Sequence, residues 1–388
     1  MILWDESGEI HESRWRSENG IQAHKKVVLA NDTLTADSAY RLACEGTAML
    51  WRGDFQNARQ LLQALVRRVD KPPKKSTRAD RLEKEKQKSP LDTFNLYRLS
   101  QSQRARILGM LLIQMNADHS ISLRRAPDVR EACLEAYGVQ TDAYVISLRE
   151  LLGVISAHEW RKNGVPILAR GEDAICVHPH YGVFSPIRGE YIQLVCNAAW
   201  PKSIQANSTA FDIGTGTGAL SVVLAMRDIQ KIVATDVDVR AIVCAQDNIE
   251  RLGLSSQVQI EKTDLFPAGK AALIVCNPPW LPARPSSSLE HAIYDPESRM
   301  LKGFLAGLKE HLLPKGEGWL ILSDLAEHLG LRTRQTLLAW IEEAGLYVVG
   351  REDAKPGHKK VFDQTDALHA ARSAEITSLW RLAVKFSE

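Results

Sequence analysis

The glycine-rich stretch around residues 210–225 constrains the fold of this 388-residue chain more than any other part of its sequence. The apolar run Ala210–Ile213 is followed by alternating glycines at 214, 216 and 218, and then by a second apolar run, Leu220–Ala225. This order predicts a strand, a tight turn and a helix. Glycine permits a positive φ and lets backbone N–H groups approach a ligand without an intervening Cβ. The glycine loop, residues 214–218, is therefore a candidate ligand-binding loop.

The spacing of the glycines argues against two common phosphate-binding loops. A dinucleotide fingerprint needs G-x-G-x-x-G, and a Walker loop ends in Gly-Lys-Ser/Thr. The pattern here is G-x-G-x-G with neither ending. Taken alone, such a loop also fits a generic tight turn or another nucleotide site. Its assignment therefore depends on the residues that follow it.

Three later segments end in polar residues where strands are predicted to end. Lys231–Asp236 and Val258–Asp264 each end in an acid, and Ala272–Cys276 runs directly into the NPPW segment, residues 277–280. Ligands of open α/β sheets bind at the carboxyl ends of strands, and an acid about 20 residues past the glycine loop can accept hydrogen bonds from ribose hydroxyls. These segments and the glycine loop therefore predict one shared site.

Together these motifs resemble class I S-adenosylmethionine (SAM)-dependent methyltransferases, and the NPPW segment resembles the motif IV of those that modify a planar nitrogen. The resemblance implies an α/β fold with a Rossmann-like SAM-binding domain and a mostly parallel seven-stranded sheet. It also implies SAM as the cofactor. The cofactor-binding residues that it implies are Asp212, Gly214, Thr215, Gly216, Gly218, Asp236, Val237, Asp264 and Asn277.

The chemistry of a planar nitrogen explains the residue types of the NPPW segment. An amide or exocyclic amine has a delocalised lone pair and is a poor nucleophile. The Asn277 side-chain oxygen and the Pro278 carbonyl are placed to accept hydrogen bonds from its two N–H groups, which makes them the catalytic candidates. Trp280 is expected to stack on the planar target. The alternative is a loop whose prolines only end a strand, with Trp280 in the core.

Residues 164–350 as a whole resemble the glutamine-amide methyltransferases that act on peptide release factors and a ribosomal protein. Those enzymes carry Pro-Arg-Pro-Glu-x-Glu before the sheet, and Ser185–Glu190 keeps the first proline, Arg188 and Glu190 but lacks the second proline. The pair Asp295–Pro296 before a predicted helix is a further similarity. The resemblance implies that Arg188, Glu190, Pro279 and Trp280 bind the substrate. A tryptophan replaces the usual tyrosine, and methyltransferases of ribosomal RNA share the same core, so the acceptor stays open.

The pattern along the chain predicts three segments. Residues 1–160 form a mainly helical N-terminal domain, 161–200 a β-hairpin and helix, and 201–388 the methyltransferase domain. Helices are predicted at 36–45, 55–66, 104–113, 128–138 and 141–160. Residues 67–88 are strongly basic and poor in apolar side chains, which favours a linker or a solvated face over contact with RNA phosphates.

Composition sets further bounds. The net formal charge is +2, no apolar run approaches the length of a membrane span, and the start lacks the order of a signal peptide, so a cytoplasmic protein without membrane contact is expected. Six scattered cysteines predict reduced thiols. His178 and His180 lack a third ligand nearby, so no metal is predicted.

Three functional hypotheses follow from the sequence. The first is an enzyme that methylates a glutamine amide in a protein of the translation machinery. The second is a methyltransferase of an exocyclic amine in rRNA, tRNA or DNA, at adenine N6 or guanine N2. The third is a non-catalytic binding protein with a SAM fold. The expected partner is a protein or RNA substrate, and no feature of the sequence specifies an oligomeric state.

Overall fold

The computed structural model describes residues 1–71, 88–170, 173–205, 207–285, 289–357 and 361–385. The chain divides into two compact units: residues 1–88 with 95–159, and residues 89–94 with 160–388. Each unit has its own β-sheet. Most of the basic run, residues 72–87, lies outside the described residues, as do residues 358–360 of the basic tail.

The first unit contains a six-stranded sheet in the order β1-β2-β6-β5-β4-β3. Its strands are β1 (Ile2–Glu6), β2 (Glu9–Trp15), β3 (Val27–Ala30), β4 (Ala48–Trp51), β5 (Leu111–Met115) and β6 (Tyr144–Ser147). The helices of this half of the chain are α1 (Ala36–Cys44), α2 (Phe55–Val69), α3 (Pro90–Leu108), α4 (Arg130–Tyr137) and α5 (Leu148–Asn163). The unit is therefore a mixed α/β structure, which corrects the prediction of a mainly helical N-terminal domain.

Two stretches predicted as helix contain central strands. The stretch 104–113 ends its helix at Leu108 and enters β5, and the stretch 141–160 begins with β6. Both strands are almost fully buried and mostly apolar, so their sequences lack the alternation that marks a half-buried strand. The helices α1 and α2 form as predicted, because Thr35 and Asp54 cap their first turns by accepting from the backbone N–H groups of Ser38 and Gln56.

The second unit contains a seven-stranded sheet in the order β11-β10-β9-β12-β13-β15-β14 and a separate hairpin of β7 and β8. Its strands are β7 (Val165–Arg170), β8 (Asp173–Val177), β9 (Thr209–Ile213), β10 (Lys231–Asp236), β11 (Val258–Lys262), β12 (Ala271–Cys276), β13 (Leu312–Ser323), β14 (Leu346–Ala354) and β15 (Thr377–Val384). Its helices are α6 (Glu190–Asn197), α7 (Ala219–Met226), α8 (Val239–Arg251), α9 (Arg299–His311), α10 (Leu325–His328), α11 (Arg334–Glu343) and α12 (His369–Ala374).

The strand directions confirm the predicted fold class. Strands β11, β10, β9, β12 and β13 run parallel, and only β15 pairs antiparallel with its neighbours β13 and β14. Helices cover both faces: Ala210 of β9 packs with α6 and α7, whereas the next residue, Phe211, packs with α9 and α11. A parallel sheet buried on both faces is a Rossmann-like arrangement, whose ligand site lies at the carboxyl ends of the strands.

Candidate active site

The register of the parallel strands brings the predicted motifs to one edge of the sheet. Asp212 and Ile213 of β9 pair with Val275 and Cys276 of β12. The glycine loop and Asn277 therefore leave neighbouring strands at the same level. On the other side of β9, Thr235 of β10 pairs with Ile213, which places Asp236 next to Gly214. Three elements distant in sequence thus meet at the carboxyl edge.

The glycine loop has a backbone that side chains would disturb. Gly214 and Gly216 have φ angles of +73° and +55°. A Cβ on Gly214 would meet the end of the flexible Met300 side chain, whereas a Cβ on Gly216 would meet nothing within 4 Å. The positive φ therefore favours glycine at both positions, and the space beside Gly216 is open, as in a ligand-binding loop.

Asp212 and Thr215 hold the glycine loop from inside. Asp212 is fully buried, and its Oδ2 accepts hydrogen bonds from Thr215 Oγ1 at 2.7 Å, Ser221 Oγ at 2.7 Å and Ser221 N at 3.1 Å. Burial raises the pKa of the Asp212 carboxyl, and the hydrogen bonds oppose that rise. These two side chains shape the loop whose backbone faces the site, and their expected contact with a cofactor stays a prediction.

Asp236 connects its own strand end to the glycine loop. Its Oδ2 accepts from Gly216 N at 3.0 Å and its Oδ1 from Asp238 N at 3.0 Å. Burial raises the pKa of this carboxyl. The neighbouring Val237 has 58% of its surface exposed. Asp236 and Val237 thus lie beside the open loop, where a carboxylate and an apolar side chain can contact a nucleoside.

Asp264 is engaged in an ion pair that the sequence did not reveal. Arg299, the first residue of α9, donates to both of its carboxylate oxygens. The Asp264 and Arg299 side chains are 52% and 67% exposed. An exposed pair of this kind contributes less than about 1 kcal/mol, so a ligand that hydrogen-bonds Asp264 can displace Arg299 at small cost.

The NPPW segment contains an internal hydrogen bond. The indole Nε1 of Trp280 donates to Asn277 Oδ1 at 2.9 Å. The Arg188 guanidinium lies over the Trp280 ring, 5.4 Å from its centroid. One face of the ring is thereby covered. Only the opposite face is left for the stacking that the sequence predicts, and the indole N–H fixes the orientation of the Asn277 amide.

Arg188 belongs to a buried network that reaches the far end of the chain. Its Nη1 donates to Glu375 Oε1 at 2.9 Å, and Ser323 Oγ donates to the same oxygen at 2.7 Å. The Glu375 side chain has no exposed surface. Glu190 is also largely buried, with Oε1 4.0 Å from Arg188 Nη1 and without a hydrogen-bond partner among the described residues. Arg188 is therefore held in place over the Trp280 ring, and the substrate contact expected of Arg188 and Glu190 stays a prediction.

Asp295 ties the segment after the NPPW motif to helix α9. Its carboxylate accepts from Met300 N at 3.0 Å and Leu301 N at 3.1 Å, and its own backbone N donates to Leu281 O at 2.8 Å. A carboxylate at this position stabilises a helix N-terminus. Asp295 thus fixes the chain directly after Trp280, which gives the predicted Asp295–Pro296 pair a structural role.

The other candidate residues, Cys276, His178 and His180, do not belong to the site described above. Burial raises the pKa of Cys276 well above that of an ordinary thiol, so this residue is a poor nucleophile. His178 Nδ1 lies 2.6 Å from Arg161 O, and His180 Nε2 lies 2.9 Å from Asp247 Oδ2. Within the described ranges, no group of three or more His, Cys, Asp or Glu side chains is arranged to hold a metal ion. None of the helices described is both long and apolar enough for a membrane crossing.

This sheet order and the motifs at its carboxyl edge define the class I SAM-dependent methyltransferase fold, and the resemblance to that class is confirmed by comparison with known proteins. A family profile for ribosomal protein L11 methyltransferase (PrmA) matches residues 194–279. Three relatives show the range of the similarity. The ribosomal protein L11 methyltransferase of Bacillus pumilus is 25% identical over 180 residues, 41% of this chain and 57% of its own length.

The second relative, the release factor glutamine methyltransferase of Cereibacter sphaeroides, is 35% identical over 114 residues, 29% of this chain and 37% of its own length. The third, a tRNA1(Val) (adenine(37)-N6)-methyltransferase of Shewanella halifaxensis, is 32% identical over 132 residues, 32% of this chain and 53% of its own length. The chain thus spans about half the length of these curated relatives.

Proposed function

We propose that this protein is a SAM-dependent N-methyltransferase whose acceptor is a planar nitrogen. The observation that carries the proposal is the position of Asn277. This side chain follows β12 in register with the start of the glycine loop, and its amide oxygen is held by Trp280 at 2.9 Å. An acceptor-orienting amide beside a cofactor loop is the arrangement that such a transfer requires.

The residues at this edge suit SAM in shape and polarity. Gly216 presents open backbone, Asp236 offers carboxylate oxygens, and Val237 offers an exposed apolar surface. The glycine loop would hold the amino-acid end of SAM, Asp236 the ribose hydroxyls, and Val237 with Asp264 the adenine. When bound, SAM would supply an electrophilic methyl group on a sulfonium sulfur. The nitrogen lone pair forms the N–C bond, the C–S electron pair leaves with the sulfur, and the acceptor nitrogen releases one of its protons to solvent.

Asn277 and Pro278 act on the acceptor nitrogen. An amide oxygen has two lone-pair directions, so Asn277 Oδ1 can accept from Trp280 and from an acceptor N–H at the same time. The Pro278 carbonyl accepts the second N–H, and proline fixes its φ and helps hold that carbonyl in place. Both oxygens stabilise the positive charge that develops on the acceptor nitrogen. Preorganised polar groups of this kind typically contribute about 10²- to 10³-fold in rate.

We propose a glutamine side-chain amide in a protein of the translation machinery as the acceptor. Two kinds of relative support it by name, since one acts on ribosomal protein L11 and another on a release factor glutamine. An exocyclic base amine is the second candidate, because the tRNA relative is named for adenine N6 and matches at 32% identity. Both acceptors present a planar nitrogen with two N–H groups, which the same pair of oxygens can orient.

The test follows labelled methyl transfer from SAM into a lysate of cells that lack this protein, separated into protein and RNA fractions. Asn277→Ala should reduce incorporation at least a hundredfold and leave SAM affinity near the wild-type value. Asn95→Ala, at an exposed position of α3, is the matched control. Full turnover by Asn277→Ala would refute the proposed mechanism. Label in the RNA fraction alone would refute the glutamine acceptor.

A further inference from the structure

Glu375 is a buried acid at the carboxyl edge of the sheet that belongs to none of the sequence motifs. It lies two residues before β15, with 2% of its surface exposed. Its Oε1 accepts from Arg188 Nη1 at 2.9 Å and from Ser323 Oγ at 2.7 Å. Apolar residues of similar volume often stabilise a fold as well as a buried ion pair does, so stability alone is a weak reason for this pair.

The segment that carries Glu375 is fixed to the end of β13. Asp324 N donates to Ile376 O at 3.0 Å, and Ile376 N donates to Asp324 Oδ1 at 2.7 Å. Ser323, the last residue of β13, pairs with Thr377, the first residue of β15. The Glu375 carboxylate therefore has a fixed position relative to the strands whose carboxyl ends form the site.

A chain of contacts leads from Glu375 to the acceptor side of the site. The Arg188 guanidinium contacts the Glu375 carboxylate and also the Trp280 ring, whose centroid is 5.4 Å away. The indole Nε1 in turn donates to Asn277 Oδ1 at 2.9 Å. Glu190, with Oε1 4.0 Å from Arg188 Nη1, is a second acid beside the guanidinium. Three contacts thus separate Glu375 from the amide proposed to orient the acceptor.

An ionised Glu375 holds the guanidinium more firmly than a neutral side chain would. Hydrogen bonds between charged groups are shorter and about twice as strong as neutral ones. Arg188 has a long side chain, and holding it in one conformation over a ring costs rotamer entropy. A glutamine at residue 375 would keep the shape and an acceptor oxygen, but it would restrain Arg188 less.

We propose that Glu375 is a positioning residue for methyl transfer. It holds Arg188 over Trp280, which keeps the indole N–H directed at Asn277 Oδ1. The role in methyl transfer rests on the proposed function, because it acts through Asn277. The coupling between Glu375 and Trp280 does not depend on an acceptor and can be measured in the protein alone.

The chain offers a matched control for this buried pair. Glu317 of β13 is 7% exposed, and its oxygens accept from Nε and Nη2 of Arg381, on β15, at 2.8 Å each. Glu317 Oε2 also accepts from Trp319 Nε1 at 3.0 Å. Of the site residues that the structure describes, Glu317 hydrogen-bonds none. It therefore combines the same kinds of group on the same two strands at a distance from the chemistry.

The first experiment records the indole N–H signals of the nine tryptophans by NMR, without an acceptor. The Trp280 and Trp319 signals are assigned by replacing each residue with phenylalanine. Glu375→Gln should shift the Trp280 signal and leave the Trp319 signal in place, whereas Glu317→Gln should do the reverse. Ser323→Ala, which removes one donor to Glu375, should shift the Trp280 signal less, and it replaces Glu375→Gln if that variant does not fold. A Trp280 signal that neither variant moves would overturn the proposal.

The second experiment measures kcat at saturating SAM with the acceptor found by labelling. Glu375→Gln should lower kcat about two- to fivefold, because its effect cannot exceed that of the indole hydrogen bond through which it acts. Glu317→Gln should keep the wild-type kcat. In the Trp280→Phe background, Glu375→Gln should cause no further loss, since the group that it positions is gone. An equal loss with and without the indole would show a merely structural role and overturn the proposal.

The outcomes separate this proposal from the proposed function. A wild-type protein that binds SAM but transfers no methyl group would refute the proposed enzyme, and with it any role of Glu375 in transfer, whatever the NMR signals show. An active wild type together with a fully active Glu375→Gln would refute the positioning role alone.

Discussion

Replacing Trp280 by phenylalanine tests whether the indole N–H orients the Asn277 amide. The substitution keeps an aromatic ring beneath Arg188 and removes the donor of the 2.9 Å hydrogen bond to Asn277 Oδ1 together with part of the indole. A neutral hydrogen bond contributes about 1 kcal/mol net, within a range of roughly 0.5–1.5. Each 1.36 kcal/mol of barrier is a factor of ten in rate, so the expected loss in kcat is about fivefold.

The assay compares kcat at saturating SAM and acceptor with SAM affinity measured by calorimetry. We expect Trp280→Phe to fall about fivefold in kcat, well short of the loss in Asn277→Ala, with SAM affinity unchanged. Trp160→Phe, at a residue that is 45% exposed, is the control for a general effect of removing an indole. A kcat for Trp280→Phe equal to the wild-type value would refute the orienting role. A loss as large as that of Asn277→Ala would show that the ring does more than donate.

Two further predictions concern titratable groups. Because burial raises the pKa of Asp236 above its ordinary value of 3.8, acidification should protonate this carboxyl early and weaken SAM binding. Calorimetry from neutral pH downward should show this loss in the wild type and not in Asp236→Asn, and a parallel loss in both would contradict it. Alkylation of the native protein at mildly alkaline pH should spare three cysteines, because they are buried and burial raises their pKa, to about 11 for Cys133 and Cys244 and well above the ordinary value for Cys276. Mass spectrometry should find the label on Cys44, Cys176 and Cys196, and native labelling of Cys276 would contradict the buried strand.

The second unit was predictable because its signals are local. A strand that ends in a glycine loop, strands that end in acids, and a proline pair after a buried strand each occupy a few consecutive residues. The strands 231–236, 258–262 and 271–276 lie where the sequence predicts them. The hairpin of β7 and β8 is confirmed as well. Parallel pairing then follows from the alternation of strands and helices.

The first unit was harder because its strands are short and buried. Tyr144–Ser147 and Ala48–Trp51 are four-residue strands with every residue buried. An apolar run of that length has no measurable period, so it cannot be separated from a buried helical segment. The adjacent helices α1 and α2 have capping residues and clear amphipathic spacing, which favoured the prediction of a mainly helical domain.

The contacts that hold the site residues in place could not be predicted from the sequence. Glu375 pairs with Arg188 across 187 residues of sequence, and Arg299 pairs with Asp264 across 35. The partners Glu375 and Arg299 belong to no motif, and only the folded chain brings each of them to its motif residue. Likewise, the hydrogen bond between Trp280 and Asn277 depends on a side-chain rotation that residue spacing does not determine.

The position of β15 has a consequence for the order in which the protein is made. This strand is the last of the described strands in sequence, yet it lies between β13 and β14, and Glu375 precedes its first residue by two positions. Synthesis proceeds from the N-terminus, so the glycine loop and the NPPW segment emerge from the ribosome well before the carboxylate that anchors Arg188. A chain that stops before residue 375 contains every sequence motif of the site but lacks the carboxylate that pairs with Arg188. Translation must therefore pass that point before the site can assemble.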